Sequence, residues 1–359
     1  LKLDANCPPN ISNGNQFTTV LGIKGANGSG KTQVLKAFAF LAYFCSKSFS
    51  TDPEDEIFFS PFYESKDQSE FYAEFLVDDI FYRYELTCTE QAVATEVIYK
   101  KTNKKIKVFE RNGVNTTFTT KQFENLKKVK LRKNASIISI AHQYDLTELK
   151  PLYSFFNNAI TNVGFDGMRE NQIDIKSVSK HLHENPKILS FVSKFISECD
   201  TGISSIKIEK RKGEDGKDEF IPFFIHTNEN APYPVTQHTE SSGTKALYRH
   251  LPMYKIILDN GGILALDEFD INLHPRILPK LIGLFINKKS NPKNAQIIFT
   301  THDSDILDLL GRYRIYLVNK QENESFALRL DEIPGDILRN DRPIRPAYQD
   351  GKIGGIPRI

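Results

Sequence analysis

The sequence predicts an α/β protein on a mixed, largely parallel core sheet, and three observations predict it. A short apolar segment, residues 16–23, runs into a glycine-rich loop. That loop opens an apolar stretch of helical periodicity, residues 31–44, read as a helix buried nearly all round against a sheet. The last third then alternates strand, helix, strand, helix and strand at residues 263–266, 276–287, 296–299, 304–310 and 314–318. Continuous apolar strands alternating with helices belong to parallel sheets covered on both faces.

The middle of the chain reads differently. Phe71, Ala73, Phe75 and Val77 alternate with polar or edge residues, Asp78-Asp79 marks a turn, and Ile80, Tyr82, Tyr84 and Leu86 alternate again. This is a hairpin, followed by strands at 94–99, 106–109 and 136–141, and together they form an antiparallel β subdomain. Residues 146–198 are mostly helical in period, with breaks at 164–167 and Pro186, and form a helical lobe. Two further strands, 205–210 and 220–225, flank a charged turn. The expected division is therefore residues 1–145, an inserted helical lobe at 146–200, and 201–359.

Composition narrows the class. Apolar residues make up 40% and charged residues 26% of 359, as in soluble globular proteins. The most apolar stretch, from Val34 to Cys45, is too short to span a bilayer and carries Lys36. Cys7, Cys45, Cys88 and Cys199 are widely spaced, which predicts free thiols and a cytoplasmic location. The chain starts at Leu1 without a methionine, so residues ahead of it are expected, and nothing there reads as a signal peptide. The net charge of +2 is uneven: between Lys100 and Lys133 stand twelve Lys or Arg against Glu110 and Glu124. Two readings are open for this segment, a nucleic-acid or acidic-partner contact and a solvated face.

The chemistry concentrates in four places. Gly25-Ala26-Asn27-Gly28-Ser29-Gly30-Lys31-Thr32 fits G-x-x-x-x-G-K-[ST] between a strand and a helix. Its glycines let backbone N–H groups wrap the phosphates of a nucleotide, with Lys31 expected to neutralise the β- and γ-phosphates and the Thr32 hydroxyl to ligate Mg²⁺. Residues 261–268 form an apolar strand ending in Asp267-Glu268, where Asp267 suits the Mg²⁺ shell and Glu268 suits a base for attacking water. Thr300-Thr301-His302-Asp303 follows the next apolar strand and places His302 to contact a γ-phosphate. Glu240-Ser241-Ser242-Gly243-Thr244-Lys245-Ala246-Leu247 opens a helix with small residues, a second phosphate-binding end.

In this order the four motifs resemble the head domains of ABC-type ATPases, in the branch of SMC, RecF and OLD-like proteins. Glu240 to Leu247 is similar to the SMC signature L-S-G-G-E-K-A-L, matching at Ser241, Gly243, Lys245, Ala246 and Leu247 and departing at Glu240, Ser242 and Thr244. The resemblance is greatest to standalone AAA-like, OLD-like ATPases of phage-defence and abortive-infection systems. It is carried by residues 240–247, the L-D-E-x-x-x-x-L-H-P stretch at 266–275, T-T-H-D at 300–303 and the tail at 340–359.

The resemblance implies an ATPase that sandwiches ATP between the phosphate loop of one subunit and Ser241, Ser242 and Gly243 of another. It also implies a D-loop at 269–274, with His274 where aspartate is common. A glutamine loop touching nucleotide and metal is implied as well; Gln143 is the candidate, with a plain polar loop residue as the other reading. Only 57 residues follow His302, too few for the nuclease domain of full OLD nucleases, so the implied effector, a nuclease or another toxin, sits on a separate protein. The implied role is sensor and scaffold of an antiphage system. A RecF-like DNA-binding ATPase using the basic segment is the alternative.

Overall fold

The protein is described by a computed structural model covering residues 2–355 apart from 5, 6, 13, 170–173, 200, 215, 229, 230, 272, 335 and 336. The chain forms two compact units, one of Leu1–Lys31 with Glu170–Ile359 and one of Thr32–Arg169. These bounds differ from the sequence-based division, and the helical stretch expected at 146–200 is shared between both units.

The first unit contains the predicted parallel sheet. Its strands lie in the order Glu324–Arg329, Ile315–Gln321, Val20–Gly25, Gln296–Thr300, Ile263–Leu266. Val20–Gly25 pairs in parallel with both neighbours, and Gln296–Thr300 pairs in parallel with Ile263–Leu266. All six residues of Val20–Gly25 and all four of Ile263–Leu266 are buried, which explains why they read as unbroken apolar runs. Helices Ser242–Asn260, Leu278–Ile286 and Asp305–Leu310 pack on these strands.

The edge strand Glu324–Arg329 is antiparallel and was not expected. Glu322 and Asn323 both take positive φ, the two-residue turn that matches strand twist. A second sheet, Ile203–Lys212, Asp218–Asn228 and Ala231–Thr236, is antiparallel, with helices Ile175–Glu184 and Pro186–Ser197 packed on its first two strands. Its third strand was hidden by Pro232 and Pro234, which an edge position tolerates.

The second unit carries a five-stranded antiparallel meander: Ser69–Val77, Ile80–Cys88, Val93–Lys101, Lys105–Asn112 and Asn115–Thr119. The expected hairpin turn at Asp78-Asp79 has positive φ at both residues. Helix Lys31–Lys47 continues from the glycine loop, but Val34 and Tyr43 are 41% and 44% exposed, so the helix is not buried all round as its composition predicted.

The strand expected at 136–141 is instead helix Ile137–Gln143. Its run of apolar residues is buried on every side, so periodicity alone did not discriminate helix from strand. Two local features settle it. The Ser136 hydroxyl accepts from the Ile138 N–H at 3.1 Å, and the buried Glu96 carboxylate accepts from the Ile137 N–H at 3.1 Å.

Glu96 also takes hydrogen bonds from Tyr84 Oη (2.7 Å), Ser136 Oγ (2.6 Å) and Arg111 Nε (2.6 Å), and both side chains of the ion pair are fully buried. Arg111 places three of its remaining donors on the carbonyls of Arg132, Ala135 and Gly113. Arg111 is therefore removed from the basic face expected between Lys100 and Lys133. Arg132 likewise binds the carbonyls of Phe49 and Thr51, and Lys133 pairs with Glu54.

Among the described residues no helix is long and apolar enough to cross a membrane. Replacing Arg111 by Met leaves the Glu96 charge buried without its partner and is expected to cost about 3–5 kcal/mol in urea unfolding. A loss below about 0.5 kcal/mol would mean that the pair does not hold this unit together.

Candidate functional site: a phosphate loop and the carboxyl ends of three strands

The loop after Val20–Gly25 has the shape its glycines require. Gly28 and Gly30 have φ of 72° and 100°, conformations that side chains rarely adopt. A Cβ on Gly25 would lie 2.4 Å from the Val318 carbonyl oxygen, and one on Gly30 would lie 2.5 Å from Ser325 Oγ. The expected strand Ile315–Gln321 and the unexpected edge strand Glu324–Arg329 thus back the loop. The Ser29 hydroxyl is buried without a hydrogen-bond partner among the described residues. Lys31 Nζ folds back over the loop to the carbonyls of Gly25 and Ala26, both at 3.0 Å. Burial lowers the pKa of Lys31, and the Asp267, Glu268 and Asp270 carboxylates pull it back up. An orphaned hydroxyl, a bent glycine backbone and a buried ammonium facing carboxylates fit a polyphosphate.

Asp267 and Glu268 follow strand Ile263–Leu266, where ligands bind in parallel sheets. Asp267 is 5% exposed, and its Oδ1 accepts from Thr300 Oγ1 at 2.5 Å. The same hydroxyl accepts from the Glu268 N–H at 2.8 Å, so one side chain ties both acidic residues to the next strand. Glu268 is half-buried with φ of 48°, a left-handed conformation costly for a non-glycine residue and concentrated at functional sites. A buried carboxylate is a hard oxygen donor of the kind Mg²⁺ prefers.

His302 is exposed, and its backbone rather than its ring is fastened. Asp270 Oδ2 accepts from the N–H groups of His302 and Asp303, each at 3.2 Å, while Lys24 Nζ donates to the His302 carbonyl at 2.8 Å. Lys24 is 3% exposed; burial lowers its pKa, and the Asp270 and Asp303 carboxylates raise it. Lys24, Asp270 and Thr300 were not singled out from the sequence. A lone lysine inside an apolar strand was the available signal for the first, and the repeated threonine of T-T-H-D for the last.

Ser241 caps helix Ser242–Asn260, its hydroxyl accepting from the Thr244 N–H at 3.1 Å, and both Ser241 and Ser242 are exposed. Glu240, a departure from the signature pattern, turns inward: its Oε1 lies 2.6 Å from His226 Nε2, and its Oε2 accepts from the Ser241 N–H. Among the described residues no hydrogen bond or ion pair links Ser241, Ser242 or Gly243 to Lys31, Glu268 or His302.

The chain brings Lys31, Asp267, Glu268 and the His302 backbone into one electrostatic neighbourhood. Thr32 is the second residue of Lys31–Lys47, in the other compact unit. Gln143 is in that unit too, exposed at the end of a helix rather than after a strand, which removes the local reason for choosing it. His274 caps Pro275–Ile277 through Nδ1; residue 272 of the expected D-loop and residues 356–359 of the tail lie outside the described residues.

Residues 20–308 match the family model described as AAA domain, putative AbiEii toxin, Type IV TA system, and the chain belongs to that family. It is an ATPase of that AAA family, and its phosphate loop, its acidic pair and the loop carrying His302 follow three neighbouring strands of one sheet. No curated protein matches it. Among solved structures it is similar to an SMC head bound to the C-winged helix domain of ScpA, at 16% identity over 88% of this chain and 92% of that chain, with a TM-score of 0.46. It is also similar to the recombination mediator protein RecF of the RecFOR pathway, at 12% identity over 87% and 93%, with a TM-score of 0.31.

Thr300→Val keeps the shape of the side chain but removes both hydrogen bonds to the acidic loop. It is expected to lower kcat for ATP about 10–100-fold, as for loss of a group that orients a metal ligand. Nucleotide affinity measured by titration is expected to change much less; equal kcat in the two proteins would show that the hydroxyl does not position Asp267 and Glu268.

Proposed function

We propose that this ATPase closes on ATP as a pair of chains, and that closure controls a separate toxic effector in a prokaryotic defence system. The observation that carries the first half is the exposed start of helix Ser242–Asn260: among the described residues neither Ser241 nor Ser242 is hydrogen-bonded to Lys31. A helix N-terminus presenting Ser241, Ser242 and Gly243 to solvent suits the γ-phosphate held by a second copy. The defence setting in the second half is supported by the family description, which names a putative AbiEii toxin of a type IV toxin–antitoxin system.

In this reading the loop from Gly25 to Lys31 wraps the phosphates, and Lys31 offsets their charge. Glu268 orients and polarises the attacking water, and His302 reports on the γ-phosphate. Asp267 and Thr32 hold the Mg²⁺ ion, which when bound neutralises charge on the phosphate oxygens. The location is the cytoplasm. The effector is a protein such as a nuclease, held or released according to closure.

A DNA-binding ATPase is the second reading, favoured by the exposed Lys101, Lys104, Lys105, Lys127, Lys128 and Lys130. It predicts a duplex affinity that falls with salt and disappears when these charges are reversed.

Glu268→Gln is expected to bind ATP and to hydrolyse it at least ~100-fold more slowly, the scale of a lost general base. With ATP, its mass by light scattering should double, and adding Ser242→Arg should return it to a single chain while leaving nucleotide binding intact. Turnover near that of the unaltered protein would remove Glu268 from its role; a mass indifferent to ATP would remove the pairing. Affinity capture of the Glu268→Gln protein from its host, with and without ATP, reads out the effector as a protein whose yield depends on nucleotide.

A further inference from the structure

Within the second unit, one side of helix Lys31–Lys47 and the segment 156–169 enclose a cleft of about 800 Å³. That is the size of a small-molecule site and large enough for a mononucleotide. The apolar surface expected to pack helix Lys31–Lys47 on all sides is open here, where Gln33, Lys36, Ala37, Phe40, Tyr43 and Lys47 line the cleft.

The cleft is aromatic at its floor and mouth and cationic at its rim. Phe40, Phe59 and Phe71 form a mutual cluster, with ring centroids 4.6–5.8 Å apart, at the floor. At the mouth Phe58 and Phe165 meet edge to face at 6.4 Å and are 57% and 44% exposed. Tyr43, 44% exposed, is held by a 3.1 Å hydrogen bond between its hydroxyl and that of Thr51. Exposed, fixed rings around a concavity are surfaces on which another planar ring stacks.

Lys36, Lys47 and Arg169 stand against one acid, Asp166, among the lining residues, and among the described residues none of the three cations is in an ion pair. A glycine makes room for one of them, and a second glycine lies beside another. A Cβ on Gly164 would lie 2.2 Å from Arg169 Nε, so the guanidinium lies across that glycine, and Lys36 Cε is the nearest atom to a Cβ on Gly167 at 3.8 Å.

We propose that this cleft is a second ligand site, separate from the phosphate loop, for a planar aromatic ring carrying an anionic group, with nucleoside monophosphates as its fitting class. The ring packs among Tyr43, Phe58 and Phe165, and the anion is met by Lys36 and Arg169. Because the cleft is lined by the helix that begins at Lys31, its occupancy acts on the element that carries the phosphate-loop lysine.

The test uses AMP on the full chain with Lys31→Ala, which disables the phosphate loop and so separates this site from the ATP site. Calorimetry is expected to show one AMP per chain, with adenosine and inorganic phosphate each bound at least ~30-fold more weakly, since each lacks one of the two recognised groups. Lys36→Glu with Arg169→Glu is expected to weaken AMP at least ~10-fold. In the unaltered protein, saturated with a non-hydrolysable ATP analogue, photolabelling by 8-azido-AMP should fall on peptides containing Tyr43, Phe58 or Phe165; this arm stands if the charge-reversed variant fails to fold. No AMP binding to the Lys31→Ala chain, equal affinity for AMP and adenosine, or label confined to other peptides would overturn the proposal.

Discussion

One hydroxyl group fixes the chemistry of this molecule. Thr300 ends strand Gln296–Thr300 and both donates to Asp267 and accepts from the N–H of Glu268. It occupies that position because of strand register: Ile23 lies opposite Thr300, and Leu266 lies opposite Phe299. Three parallel strands therefore end at one level, and everything that continues beyond them is gathered at the same edge: the phosphate loop, the acidic pair and the histidine loop. A slip of one residue between strands would turn Asp267 and Thr300 to opposite faces and dissolve the site.

Around this point the backbone is held away from its preferred conformations. Gly28, Gly30 and Glu268 all have positive φ, and Glu268 has no glycine's excuse for it. Strain of this kind persists only where neighbours over-determine it. Here the neighbours are Thr300 on one side and, on the other, Asp270 and Lys24, which hold the His302 backbone from both its N–H and its carbonyl. The loops carrying His302 and Glu268 are thus fastened at their backbones, the arrangement that the proposed roles of the two side chains need.

Much of this was legible in the sequence, for physical reasons. Strands buried on both faces are continuous apolar runs, so Ile263–Leu266 was read to its observed bounds, and the glycine loop declares its own geometry. The alternation of the hairpin at Asp78-Asp79 was equally plain. What failed were elements whose information is tertiary. Ile137–Gln143 is helical because a buried Glu96 forty-one residues earlier caps it, and no local pattern carries that. The strands Glu324–Arg329 and Ala231–Thr236 sit at edges, exposed or proline-bearing, where the apolar pattern is weak. In the site, the residues named from motifs carry recognisable sequence patterns, whereas Lys24, Asp270 and Thr300 act by holding the backbone and side chains of their neighbours. Their role is visible only in the hydrogen bonds they make. The openness of helix Lys31–Lys47 was missed for the opposite reason: its composition describes a helix buried all round, and the fold leaves one side uncovered.

The central claim is that the phosphate loop is half of a site whose other half is the Ser241 helix start of a second copy. Mixing two inactive proteins tests it directly. Lys31→Ala destroys the loop and keeps the helix start; Ser242→Arg does the reverse. In a two-fold pair the mixture contains one intact composite site per mixed dimer, so ATP hydrolysis should return to roughly a quarter of that of the unaltered protein. Activity of the mixture no greater than the sum of the separate variants would contradict the account.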